Sequence, residues 1–143
     1  MKLIAVIFLS VLLLITTAQS QSLRLAPVIE KTVAGTQYGS LLQFQTKKKW
    51  SLGAFYQTSI LKQSEGFQLS DSFYGLTVNA PLSKSSKLNF YFNLRGGVVN
   101  QIFVVVAPGL ETEMQLTKSI SVSALMSIRM SYPSAGVKIY IKI

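Results

Sequence analysis

Trp50-Ser51-Leu52-Gly53-Ala54-Phe55-Tyr56-Gln57-Thr58-Ser59-Ile60 places mostly large apolar side chains at even positions and mostly small or polar ones at odd positions. Successive side chains of a β-strand point to opposite faces, so a period of two describes a strand with one apolar and one polar face. The same phase returns in Leu88-Asn89-Phe90-Tyr91-Phe92-Asn93-Leu94-Arg95 and in the run from Ile120 to Met130. Working outward, alternating segments fall at 23–33, 37–46, 50–60, 73–82, 88–97, 103–116, 119–130 and 136–143. Turn-like stretches separate them, among them Ala34-Gly35-Thr36, the lysines 47–49, Thr117-Lys118 and the segment around Tyr132-Pro133. Most segments are near the ~9–11 residues that a tilted strand needs to cross a bilayer. Hairpin spacing without a helical run predicts an all-β, closed, antiparallel up-and-down barrel of eight strands.

The apolar row occupies odd positions in the first and last segments and even positions in the six between. Its one charge is Lys31, near a strand end where a lysine can snorkel to a headgroup. The opposite row carries Arg24, Glu30, Arg95, Glu111, Glu113, Arg129, Lys138 and Lys142, and most of the glycines. A soluble lipocalin-like barrel would turn the apolar row inward. An eight-stranded interior is only wide enough for packed side chains or one small ligand, too narrow for that row with its Trp50, Phe44, Phe90 and Phe92. The water-facing row would also fall well short of the ~25–35% charge common on soluble surfaces. Turned inside out, both difficulties vanish: an apolar belt meets lipid, small polar residues fill the lumen, and closure pairs the backbone groups. The expectation is a transmembrane β-barrel, with the soluble ligand-binding barrel as the weaker alternative.

The 143 residues suffice for one domain, with 13% charged and 49% hydrophobic residues and a net charge of +9. There is no Cys and no His, which excludes a disulfide framework, an ordinary zinc site and every His-dependent catalytic triad. Lys2, the apolar run Leu3 to Ile15 and the small residues Ala18 and Ser20 form a three-part secretory signal. As a helix that run would reach only about 20 Å at ~1.5 Å per residue, short of a ~30 Å hydrocarbon core. The expected division is a cleaved signal peptide at 1–20 and a barrel at 21–143.

The signal, the eight-segment meander and the final run Gly136-Val137-Lys138-Ile139-Tyr140-Ile141-Lys142-Ile143 resemble the small outer-membrane barrels of the OmpA-transmembrane and OmpX type. The resemblance covers the mature chain as architecture. It implies a Gram-negative outer membrane, periplasmic termini, and recognition of Ile139, Ile141 and Ile143 by the outer-membrane assembly machinery. That group usually ends in an aromatic residue, where this chain has Ile143. Periplasmic termini would place Lys47, Lys48, Lys49, Lys84, Lys87 and Lys118 on the periplasmic rim. They read first as solvated turn residues; the sharper reading is attraction to the anionic headgroups of the inner leaflet of the outer membrane, about 1 kcal/mol for each lysine. Trp50 beside the lysine turn reads as an interfacial anchor. The 61–72 stretch is the one long external loop.

Glu111 and Glu113 are the one close pair of carboxylates, on the polar row and about 6.5–7 Å apart along a strand. Such a pair could do acid–base work as in glycoside hydrolysis, and Ser127 with Lys138 could form a Ser–Lys pair. The simpler expectation is a buried network, because an inward charge is costly unless paired. With a hairpin at Thr117–Ser119 and another at Tyr132-Pro133, Ser123 would lie opposite both Glu113 and Lys142, bringing those two near one another, with Arg24 on the adjoining first strand. The outer-membrane enzymes this chain resembles in architecture use His, so the expected role is structural or in surface interaction, without cofactor, metal or nucleic acid; no motif specifies a surface partner. A small pore is the competing class, opposed by the inward parity of Phe55, Phe73, Tyr91, Phe103, Leu125 and Tyr140.

Overall fold

Alternation becomes a wall when neighbouring strands pair in register. The computed structural model describes residues 22–33, 35–60 and 70–143, so the expected signal at 1–20 and most of the 61–72 loop lie outside it. Eight strands follow in order: β1 (Ser22–Thr32), β2 (Gly35–Gln45), β3 (Ser51–Ile60), β4 (Ser70–Lys84), β5 (Leu88–Val99), β6 (Phe103–Gln115), β7 (Ile120–Arg129) and β8 (Tyr132–Lys142). Each is antiparallel to the next, and β1 pairs with β8, for example Leu25 with Ile141, so the sheet closes into an up-and-down barrel. Closure removes the two free edges that an open sheet would leave.

The parity holds around the ring. In β7, Ser121, Ser123, Leu125, Ser127 and Arg129 are buried, while Ala124, Met126 and Ile128 are exposed. In β5, Asn89, Tyr91, Asn93 and Arg95 face the lumen and Phe90, Phe92 and Leu94 face out. The exterior is apolar, with Leu76 and Leu110 both about 60% exposed, whereas the interior mixes Phe73, Tyr140 and Leu125 with buried Glu30, Gln37 and Lys138. This is the reverse of a soluble barrel's distribution.

Local chemistry sets the turns. In the lysine turn, Thr46 N–H donates to Trp50 O and Lys49 N–H to Thr46 O, with Lys49 at φ 69°. That is the three-residue hairpin loop ending in a left-handed residue. Asn100 (φ 52°) and Gln101 (φ 60°) are the central residues of the turn between β5 and β6, which Ile102 N–H closes onto Val99 O, Asn being a residue that tolerates this conformation. Leu82 is the extra residue of a bulge where the β4–β5 register shifts between Pro81 and Ser83, which accommodates a proline inside a strand. Gly75 and Gly97 face each other across β4 and β5; a Cβ on Gly75 would strike Gly96 O, and one on Gly97 would strike Tyr74 O.

Two expectations are corrected. The last hairpin turns at Met130 (φ 51°) and Ser131 (φ 68°), not at Tyr132-Pro133, and Pro133 pairs with Ile128 as a strand residue. Ser123 therefore faces Lys138, not Lys142. Phe103 is 54% exposed and does not plug the lumen. The β6–β7 ladder begins at Gly109 opposite Ser127, so the Phe103 end of β6 runs past its neighbour and carries this ring beyond the packed interior.

Candidate functional site

The lumen concentrates the polar chemistry of this chain. Glu30 on β1 and Arg95 on β5 meet through two contacts, Nη1 to Oε2 at 2.6 Å and Nη2 to Oε1 at 2.8 Å. Gln57 Nε2 donates to Glu30 Oε2 at 2.8 Å and Ser134 Oγ to Oε1 at 2.6 Å, while Arg95 Nη2 also donates to Ser127 Oγ. Paired, bidentate geometry is the strong form of such a contact, and it satisfies both charges where water is excluded.

A second cluster centres on Glu111. Lys138 Nζ donates to its Oε2 at 2.6 Å, and Tyr140 OH and Ser123 Oγ donate to Oε1 at 2.7 and 2.8 Å. A third joins Arg24 Nη2 to Glu113 Oε2 at 2.9 Å, with Ser121 Oγ donating to Oε1 at 2.7 Å and the guanidinium 3.8 Å over the Tyr140 ring. Arg129 donates to Gln37 Oε1 at 2.8 Å and lies 5.0 Å over the Phe73 ring. Glu111 and Glu113 thus each hold their own cation. Ser127 bonds to Ser134 and Arg95, and Lys138 to Glu111, so the Ser127–Lys138 pairing is not formed.

Of the charges on the inward row, Arg24, Glu30, Arg95, Glu111, Glu113, Arg129 and Lys138 are buried. Lys142 is exposed, opposite Arg24 at the barrel mouth. Glu113 turns to Arg24 and Ser121 in place of Lys142, as the relocated last hairpin requires. Gln57 and Tyr140, which help complete the clusters, share the inward parity, a signal for their burial though not for which charge each serves; Ser134 falls in the turn expected before 136–143 and is instead a buried residue of β8.

A void of about 10 Å³ lies among Val28, Leu41, Phe55, Gln57, Thr77, Arg95 and Lys138, no more than the ~10–15 Å³ needed by one water. At one end the turns bearing Lys47, Lys48 and Lys49, then Lys87, then Lys118 surround the mouth, and Lys84 closes β4 there. Trp50 is half exposed beside the first of these turns.

No family model matches the chain, and no curated protein matches it. Solved structures do. One comes from the de novo design of transmembrane β-barrels, with a TM-score of 0.69 and 10% identity over 85% of this chain and 95% of that one. Another is the solution NMR structure of the de novo designed TMB2.3, with a TM-score of 0.63 and 10% identity over 87% of this chain and 98% of the other. The fold is thereby that of an eight-stranded, closed, antiparallel up-and-down barrel of the kind used in transmembrane designs.

Proposed function

We propose that this protein is an integral β-barrel of a Gram-negative outer membrane, exported by a cleaved signal at 1–20, with a structural or surface-interaction role and no enzymatic one. The observation that carries this reading is the inverted partition of side chains. Leu76, Leu110, Met126 and Ile128 stand outward, and Glu30, Arg95, Glu111 and Lys138 are sealed within. Water would penalise that exterior, whereas hydrocarbon accepts it and demands a closed sheet. In this account outer-membrane lipids surround the belt, and the assembly machinery takes the chain through β8, whose Ile139 and Ile141 face outward. The packed, ion-paired lumen favours a structural barrel over a pore.

Cell fractionation combined with heat-modifiable gel mobility tests the proposal. The protein should sediment with outer membranes, need detergent for release and change mobility on boiling. Release into the periplasmic fraction without detergent would overturn it.

A further inference from the structure

The lysine-bearing mouth contains a basin of about 90 Å³ lined by Arg24, Lys49, Glu113, Lys118 and Lys142, among polar neighbours. One water needs only ~10–15 Å³, so a small ion with part of its hydration shell fits. The basin holds four cations against one carboxylate, and that carboxylate is already committed to Arg24 and Ser121. No carboxylate pairs with Lys49, Lys118 or Lys142 among the described residues.

The three lysines reach the basin from separate, braced elements. Lys49 sits at the left-handed corner of the β2–β3 turn, whose ends Thr46 ties. Lys118 lies in the β6–β7 turn, where Thr117 Oγ1 accepts from Ser119 and Ile120 N–H. Lys142 N–H donates to Ser119 O, fastening the end of β8 to that turn. Ser22 and Ser119 line the same space and add hydroxyl donors.

We infer that this basin is a binding site for a compact, multiply charged oxyanion of the phosphate class, either free phosphate or a phosphate monoester headgroup. Three lysines that line one basin without acidic partners among the described residues match a dianion's charge, and charge-assisted hydrogen bonds are the strong kind. The inference goes beyond the membrane reading and rests on the barrel geometry alone.

The test titrates inorganic phosphate into the detergent-solubilised protein at constant ionic strength, following the amide resonances of Ser119 and Lys142. Saturable shifts are expected. A variant combining Lys49→Gln, Lys118→Gln and Lys142→Gln should weaken phosphate binding by about tenfold or more, the loss of at least one charge-assisted contact. A control combining Lys47→Gln, Lys48→Gln and Lys87→Gln removes the same charge outside the basin and should bind as the parent does. Lys142→Gln alone repeats the test with minimal risk to folding, which heat-modifiable mobility monitors. Nanodiscs of phosphatidylcholine with or without phosphatidic acid identify the source: competition by phosphatidic acid assigns the headgroup, and undiminished binding assigns the free ion. Non-saturable shifts, or equal weakening in both triple variants, would overturn the inference.

Discussion

Glu30 and Arg95 grip each other from β1 and β5, strands diametrically opposed in the ring of eight, with contacts of 2.6 and 2.8 Å. The pair is a strut across the lumen that ties opposite walls and obstructs the axis. Ser134 from β8 and Gln57 from β3 bind the same carboxylate, so one side chain gathers donors from around the barrel.

Removing one end of the strut should cost more than removing both. Arg95→Met leaves Glu30 buried without its cation and is expected to destabilise by about 3–5 kcal/mol. Glu30→Gln combined with Arg95→Met should recover much of that loss. Urea unfolding followed by the fluorescence of Trp50, the single tryptophan, measures both through the shift in midpoint.

The same strut bears on permeability. The parent barrel should show only leak-level conductance in planar bilayers. Glu30→Ala with Arg95→Ala should raise it by removing the pair that crosses the lumen from β1 to β5. An unchanged trace in the double variant, or open channels in the parent, would count against a plugged lumen.

Gly75 meets Gly97 across β4 and β5 where a side chain has no room. Gly75→Val drives a branched side chain into the Gly96 carbonyl. Forced overpacking costs about 1–3 kcal/mol or more, so folded yield should fall, read as loss of the compact band on unboiled gels. Gly96→Ala, where a Cβ meets nothing within 4 Å, should fold like the parent.

Met130 and Ser131 hold left-handed backbone in the last turn, a conformation favoured by Asn-Gly. Met130→Asn with Ser131→Gly should stabilise by up to about 1 kcal/mol. A higher urea midpoint is the expected readout.

The belt predicts the opposite response to charge. Met126→Arg or Leu110→Arg, which face outward as a cross-strand pair of β6 and β7, should cost about 2–4 kcal/mol, the figure for an arginine at the bilayer midplane. The variants should lose more stability in lipid than the same change made at Lys31, already charged and near a strand end.

Strand number and facing were legible because alternation at Trp50 to Ile60 and Ile120 to Met130 is a local property, decided residue by residue. Register was not. Pro133 reads as turn punctuation, yet it fits at the exposed start of β8, and the turn lies at Met130 and Ser131, whose side chains advertise nothing. That displacement moved Ser123 from Lys142 to Lys138 and left Glu113 with Arg24. The Glu30–Arg95 strut depends on strand tilt and stagger around the closed ring, quantities that no single segment encodes. Phe103 followed the inward parity, but its end of β6 outruns β7.

The chain contains no cysteine, so single cysteines placed at each position from 120 to 129 can carry a spin label in the lipid-reconstituted protein. Collision rates with oxygen, which partitions into lipid, should peak at positions 122, 124, 126 and 128 and fall at 121, 123, 125, 127 and 129. A profile of reversed phase, or one repeating every three to four residues as in a helix, would contradict an apolar exterior wrapped around a polar lumen.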